Sequence, residues 1–235
     1  MNYSILPKDK RFDQLLIPYL IPYMLYVGLE SIPKEYLAID LKQVVKFVAV
    51  SIALIVLRKN FCLKKTCFRD FFISLVSLPL LLAVWILPLY FFTQGKKADQ
   101  ETFSTLYIVM RAINSTILVA LFEELFIRAF LLEWFYQADD MVKEKGIPGA
   151  LSKTMELNPK ELSVIPFCKL SLILSTILFA IGHTTVEYIP AILYFSATNF
   201  IYYKTKSFWT CIFTHALTNL AIAGLVAFCG MNFLW

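Results

Sequence analysis

Two neighbouring carboxylates and an arginine stand within a long apolar stretch of the sequence: Glu123, Glu124 and Arg128. Residues four apart lie on the same face of a helix, so Glu124 and Arg128 are expected to pair. The helical period turns Glu123 about 100° away, so Arg128 does not neutralise it directly. This spacing leaves Glu123 available as a general base or acid. The same pattern also fits a purely structural glutamate–arginine clasp between helices.

The chain has two histidines, and both lie in or at the end of an apolar segment. Phe179 precedes His183 by four residues, so its ring is expected to pack on the imidazole, and Gly182 permits another backbone to approach closely. His215 precedes Asn219 by four residues, and a histidine beside an amide donor suits binding of water and of a developing oxyanion. Each feature alone also fits core packing or a hydrogen bond between helices. Their occurrence on three separate segments favours one buried active site.

The elements that must position these side chains are membrane helices. The chain is 59% hydrophobic and 17% charged, with a mean hydropathy of +0.67, whereas soluble proteins are about 45–50% apolar and about 25% charged. A charge at the centre of a membrane helix costs at least about 2.5–3.5 kcal/mol, so ionisable groups there are paired, line a wet cavity or serve function. The net charge of +5 is attributed to basic loops on anionic lipid, and no nucleic acid is expected as a partner.

A spanning helix needs roughly 20 mostly apolar residues. The sequence predicts an all-α, multi-pass transmembrane bundle of about seven spans, within a range of about six to eight. The predicted spans are residues 15–29, 44–57, 71–92, 106–135, 170–183, 188–203 and 208–229. The fourth is too long for a simple span, so it is expected to kink or break near Asn114 and Ser115 or to project beyond the membrane.

Residues 1–235 are predicted to form a single integral membrane domain with a motif-bearing catalytic core at 105–229. Basic clusters precede the first span and lie between spans two and three and between spans six and seven. The positive-inside rule places these clusters, the N-terminus and a polar loop at 137–163 on the cytoplasmic side. The expected location is the plasma or inner membrane, with lipids and a protein or peptide substrate as partners.

A simple serpentine of straight helices places His183 near the outer end of its span. Glu123 and His215 would then lie nearer the cytoplasm. A shared site therefore requires broken or steeply tilted helices, or different boundaries around residues 184–190.

The motifs Glu-Glu-x-x-x-Arg, Phe-x-x-x-His and His-x-x-x-Asn occur in this order between residues 111 and 219. Together they resemble the CAAX protease and bacteriocin-processing family of intramembrane proteases, whose best-known branch removes the last three residues of CAAX proteins. The resemblance implies an endopeptidase that acts at the membrane. It also implies that Glu124 and Arg128 position the site, with a direct role for Glu124 left open.

The resemblance assigns a role to each remaining residue. Glu123 would activate a water for attack on the peptide carbonyl, and His183 would bind or orient that water. His215 and Asn219 would stabilise the tetrahedral oxyanion. Family members have been described both as metalloproteases and as metal-free glutamate proteases.

The cofactor expectation is accordingly none or zinc. Glu123, His183 and His215 could ligate zinc, since two histidines and a carboxylate are a known ligand set. The sequence lacks His-Glu-x-x-His, in which one helical turn supplies both histidine ligands and the base. We favour a glutamate-activated water.

Two other functions stay open at this stage. A non-enzymatic scaffold or immunity factor would keep its phenotype after Glu123→Gln, whereas a protease would lose it. A proton-coupled transporter could use the same buried carboxylates and histidines and would show substrate flux in proteoliposomes. The absence of an inverted repeat in the sequence counts mildly against the transporter.

Overall fold

The computed structural model describes residues 6–63, 66–93, 103–160 and 165–235, and it is 82% helical with no strand in these ranges. The predicted all-α helical bundle is confirmed. Its seven helices, over the ranges just given, are α1 (Phe12–Glu30), α2 (Ile39–Leu57), α3 (Phe68–Thr93), α4 (105–155), α5 (Lys169–Ile181), α6 (Tyr188–Thr205) and α7 (Phe208–Cys229). Among the helices described, α1, α3 and α7 are long and apolar enough to cross a membrane. The count of about seven spans stays a prediction.

Helix α4 is continuous but irregular. It consists of α-helical Thr105–Ile113, π-helical Asn114–Val119, α-helical Ala120–Glu123, π-helical Glu124–Leu131 and α-helical Leu132–Met155. At the position where a break was predicted, the chain forms a wide π turn and the helix continues. A sharp bend follows at Gly146, whose φ of 66° is in the left-handed region that glycine adopts readily. The stretch predicted as a loop at 137–163 is therefore helical as far as Met155, while residues 161–164 lie outside the described residues.

The outward faces of the helices are apolar. Ile52 and Val56 on α2, Leu80 and Phe91 on α3, and Phe228 on α7 are all exposed large hydrophobic side chains. A soluble bundle places polar residues on this surface, whereas helices that are apolar on every side belong in a core or a membrane. The surface is that of an integral membrane protein.

The helices run alternately up and down, which gives the bundle two distinct ends. At the first end, the Phe12 backbone N–H donates to the Leu157 carbonyl at 3.0 Å, and Arg69 donates to the Thr205 carbonyl at 3.4 Å. These contacts join the starts of α1 and α3 to the ends of α4 and α6. We call this the basic end, for the Lys and Arg residues described below.

At the opposite end, the Lys42 ammonium donates to the Glu30 carbonyl at 3.1 Å, which joins the end of α1 to the start of α2. The Ser104 hydroxyl donates to the Asp40 carboxylate at 2.6 Å, which joins the start of α4 to the start of α2. We call this the opposite end.

Polar side chains hold the membrane helices in register, as is common where no hydrophobic force drives helix association. On α3, Ser74 donates to the Thr210 carbonyl at 3.0 Å and accepts from the Thr214 hydroxyl at 3.1 Å. The buried Asn114 amide donates to the Gln43 backbone carbonyl at 2.9 Å and to its side-chain oxygen at 3.0 Å. Helices α2 and α3 thereby fix the positions of α4 and α7, which carry most of the candidate site.

Candidate active site

A cavity of about 410 Å³ lies between α4, α7 and the connection from α5 to α6. Its wall is part polar and part aromatic, which fits a small site that orients a ligand within an apolar bundle. Four of the six predicted site residues line it: Glu123, His183, His215 and Asn219. The other two, Glu124 and Arg128, form the ion pair that their spacing predicts. Both are almost completely buried.

Arg128 is held by α6 as well as by Glu124. Its Nη2 donates to the Thr198 hydroxyl at 2.9 Å, and its Nε donates to the Asn199 carboxamide oxygen at 3.3 Å. We call Glu124, Arg128, Thr198 and Asn199 the clasp. A buried charge is tolerable only when it is paired and its remaining hydrogen-bonding capacity is largely satisfied, and the clasp provides both.

Glu124 also contacts His215, whose Nδ1 lies 3.2 Å from Glu124 Oε1. Because Glu124 is ion-paired with Arg128 and accepts hydrogen bonds, His215 Nδ1 carries the hydrogen in this contact. The other ring nitrogen, Nε2, faces Glu123 with 3.9 Å between Nε2 and Oε2. The clasp therefore fixes the orientation of the His215 ring.

Glu123 has a different environment from its neighbour. Its Oε2 is buried, and among the described residues it has no hydrogen-bond partner. A buried carboxylate oxygen without a partner is unusual in a folded protein. Its position on the cavity wall leaves it available to a water or a substrate.

His183 follows the end of α5, and its Nδ1 lies 2.8 Å from the Phe179 carbonyl oxygen. A carbonyl only accepts, so Nδ1 carries the hydrogen and Nε2 is left with its lone pair. The ring packs on Phe179 with centroids 4.7 Å apart and meets the edge of Trp85 at 5.5 Å. The expected packing between Phe179 and His183 is thus present.

The length of α5 explains how His183 reaches the depth of Glu123. A helix of 13 residues rises only about 20 Å, whereas the hydrocarbon core is about 30 Å thick. The chain leaves α5 within the bundle and starts α6 after a single 3-10 turn at Thr185–Glu187. Thr184 donates its backbone N–H and its hydroxyl to the Glu187 carboxylate at 2.9 and 2.6 Å, which closes this turn. A helix this short does not cross the full hydrocarbon core, which brings His183 toward the depth of Glu123.

Gly182 admits a side chain rather than a backbone. A Cβ at this position would collide with the hydroxyl of Tyr23 on α1. The prediction of a close backbone neighbour was wrong, because the approaching group is the Tyr23 hydroxyl.

Asn219 connects α7 to the first π-helical stretch of α4. One hydrogen of its carboxamide donates to the Ser115 carbonyl at 2.8 Å. The same carbonyl accepts the Ala120 N–H across five residues, which is the bond of a π turn. Single π turns within α-helices often occur at functional sites. Here they flank Glu123 on both sides.

A comparison with known protein families gives a match. The family described as Type II CAAX prenyl endopeptidase Rce1-like matches residues 105–221, about half of the chain, and this range contains all six predicted site residues. The chain belongs to this family. The resemblance inferred from the motifs is confirmed. Neither the curated proteins nor the solved structures give a match.

Zinc was one of the two cofactor expectations from the sequence. A zinc site needs about three protein ligands around one point. Among the described residues, no three His, Cys, Asp or Glu side chains are grouped so that they could hold a metal ion. In this arrangement Glu123, His183 and His215 do not fit as a ligand set. The steps proposed below are therefore carried by protein side chains and water.

Several residues of this Rce1-like site were not anticipated from the sequence. Thr198 and Asn199 hold Arg128, and Ser115 holds Asn219. A signal for the first two was present, because they are adjacent polar residues inside the apolar segment that forms α6. No comparable signal marked Ser115, since its role depends on the π turn.

Proposed function

We propose that this Rce1-like protein hydrolyses a peptide bond of a protein or peptide substrate at the membrane, with Glu123 as the general base for a water. The coarser part of this statement rests on the family, which is a family of proteases. The finer part rests on one observation. The buried Glu123 Oε2 has no hydrogen-bond partner among the described residues and lies 3.9 Å from Nε2 of the oriented His215 imidazole at the cavity wall.

In the proposed reaction, a water binds between Glu123 and His183. Glu123 removes one proton while the water oxygen forms a bond to the peptide carbonyl carbon. The lone pair of His183 Nε2 accepts the second hydrogen of the water and orients it. Positioned proton transfer of this kind contributes about 10²–10⁴-fold to rate.

The oxyanion that forms on the carbonyl oxygen needs hydrogen-bond donors. Asn219 can supply the second hydrogen of its carboxamide, because its bond to Ser115 uses one of two. His215 supplies Nε2–H when the ring carries both hydrogens, with Nδ1–H held by Glu124. One such donor is worth about 10²–10³ in kcat.

The proposal requires His215 to carry a hydrogen on both ring nitrogens in the transition state. Burial disfavours the charged imidazolium, whereas the two carboxylates beside the ring, Glu123 and Glu124, favour it. With that proton on His215, Glu123 is a free base and His215 is a donor. When the C–N bond breaks, Glu123 passes its acquired proton to the leaving nitrogen.

The test is a cleavage assay on the purified protein in detergent, with peptides from membrane-adjacent segments of candidate substrates. Wild-type protein is measured with and without a strong chelator. The Glu123→Gln variant, purified in parallel, reports any contaminating protease. Cleavage that resists the chelator and is absent from Glu123→Gln is the expected result. Cleavage lost to the chelator and restored by zinc would replace this mechanism with a metal-dependent one.

The rival functions predict different results in the same preparation. A transporter would move a substrate across proteoliposomes, and that flux would depend on Glu123 without any cleaved peptide. A scaffold would retain its cellular phenotype after Glu123→Gln. The protease proposal requires loss of the phenotype together with loss of cleavage.

A further inference from the structure

Lysines and arginines are concentrated at one end of the bundle. The described basic residues at the basic end are Lys8, Lys10, Arg11, Arg58, Lys59, Arg69, Lys143, Lys145, Lys153, Lys160, Lys169, Lys204 and Lys206. They belong to the connections and helix termini beside the starts of α1, α3, α5 and α7. An excess of Lys and Arg near span ends marks the cytoplasmic side of a membrane protein.

Among the described residues, the opposite end carries few basic side chains, and acidic residues balance them. The described basic residues there are Lys34, Lys42, Lys46 and Arg111, and the described acidic residues are Glu30, Glu35, Asp40 and Glu187. Lys46 forms an ion pair with the Glu30 carboxylate, and both Lys42 and Lys46 are buried. This end has the composition expected of the non-cytoplasmic side.

The cavity belongs to the opposite end. Its lining includes Tyr26 near the end of α1, Arg111 near the start of α4, and Trp235 after the end of α7. The connection between α5 and α6, including Thr184 and Glu187, completes the wall on this side. Every one of these positions is at the opposite end rather than at the basic end.

The path from the cavity toward the basic end is filled. Arg128 of the clasp is 1% exposed, and Phe122, Phe130 and Phe12 are 0–1% exposed. Phe12 packs edge-on against Phe130 with centroids 5.9 Å apart, and Phe12 is the first residue of α1 at the basic end. Close-packed side chains therefore separate the cavity from the basic face.

We propose that the cavity opens on the non-cytoplasmic side of the membrane and takes membrane-adjacent segments of proteins presented on that side. Its substrates would be exported or membrane-anchored polypeptides rather than cytoplasmic ones. This inference rests on the proposed function only in treating the cavity as the substrate site. The orientation itself follows from the charge distribution and the filled core.

Native cysteines make the orientation measurable. Cys62 and Cys67 are exposed in the connection between α2 and α3 at the basic end, and Cys229 is exposed at the end of α7. Three single-probe variants each keep one of these thiols and carry Ser at the other two. The remaining cysteines, Cys168 and Cys211, are buried and stay unchanged.

A membrane-impermeant maleimide is applied to sealed right-side-out and inside-out vesicles of a bacterial host. Lys34→Cys, in a background with Ser at the three exposed cysteine positions, adds a second probe at the opposite end, because Lys34 is exposed between α1 and α2. Labelling in detergent first establishes that every probe reacts. The expected result is that Cys229 and Lys34→Cys label in right-side-out vesicles, whereas Cys62 and Cys67 label in inside-out vesicles. The reverse pattern, or labelling of both ends from one side, overturns the inference.

An activity arm separates this inference from the proposed function. An impermeant peptide that the protein cleaves in detergent is added outside both kinds of vesicle, and cleavage is expected with right-side-out vesicles alone. Cleavage with inside-out vesicles alone contradicts the inference and leaves the protease mechanism intact. Absence of cleavage in detergent contradicts the protease mechanism, while the maleimide pattern still decides the orientation.

Discussion

Glu123 and Glu124 are adjacent in sequence, yet they belong to two different regions of the molecule. Glu124 lies in the clasp, where Arg128 neutralises it and His215 donates to it. Glu123 lies on the cavity wall, where its Oε2 is buried and lacks a hydrogen-bond partner among the described residues. The protein pairs one carboxylate with a guanidinium, whereas the other faces the cavity.

The difference shows how a membrane bundle can keep several ionisable groups inside. A buried ion pair stabilises the bundle, because removing either partner leaves the other charge unpaired in an apolar environment. An unsatisfied group persists when it lines a cavity that water can enter. The two regions should therefore respond differently to mutation: changes in the clasp reduce stability, and changes in the cavity wall reduce catalysis.

The largest effect on stability is expected from Arg128→Met. Loss of the guanidinium leaves Glu124 buried without its cation, and breaking a buried ion pair costs about 3–5 kcal/mol. The free energy of unfolding in detergent, measured with a denaturant, should fall by this amount. Arg58→Met is the matched control, because Arg58 is exposed and surface changes cost about 0.5 kcal/mol or less. Equal stability of the two variants would contradict the structural role of the clasp.

The Asn219→Ala substitution tests whether a side chain of the cavity wall takes part in catalysis. If the carboxamide donates to the oxyanion, kcat should fall by about 10²–10³ with a smaller change in KM. Asn158→Ala removes an exposed amide that donates to the Lys8 carbonyl at 2.9 Å and should leave kcat unchanged. A drop in stability with unaltered kcat would instead assign Asn219 to helix packing through Ser115.

Thr198→Val removes a single hydroxyl from the clasp. The hydrogen bond from Arg128 to this oxygen is charge-assisted, and such bonds contribute about 1.5–3 kcal/mol. Unfolding in detergent should show a loss in this range with kcat little changed. Thr66→Val, at an exposed position between α2 and α3, controls for the substitution. A large fall in kcat without a loss of stability would instead assign Thr198 to the catalytic site.

The smallest effect is expected from Gly182→Ala, beside His183. The added methyl meets the Tyr23 hydroxyl, and overpacking of this kind costs about 1–3 kcal/mol. Tyr23→Phe in the same chain removes the hydroxyl and should restore most of the loss. Gly28→Ala is the control, because a Cβ there meets nothing within 4 Å. Failure of Tyr23→Phe to restore stability would mean that the Phe179 carbonyl, rather than the hydroxyl, limits the space.

Local spacing in the sequence was enough to predict several contacts of the site. The four-residue separations gave the Glu124–Arg128 pair and the packing of Phe179 on His183, because helical periodicity fixes which side chains are neighbours. The all-α bundle followed from composition and apolar segment lengths in the same way. These features depend on short stretches of chain and on the solvent.

Features that depend on contacts between distant segments were not predictable in this way. The predicted span 170–183 lies close to the observed α5, Lys169–Ile181, but hydropathy did not show which neighbouring helices surround His183. Periodicity also does not say which helix meets Arg128, so Thr198 and Asn199 stayed unassigned. The hydrogen bond from Asn219 to Ser115 requires a π turn, which has no clear signature in the sequence.

The measurement that tests the central claim most directly is the single-turnover rate of peptide cleavage by Glu123→Gln. Glu156→Gln makes the same substitution at an exposed surface position and serves as its matched control. With Glu123 as general base, cleavage by Glu123→Gln should fall by at least about 10²-fold, while its stability and the rate of Glu156→Gln stay at wild-type values. A Glu123→Gln protein that is stable and cleaves at the wild-type rate would contradict the account.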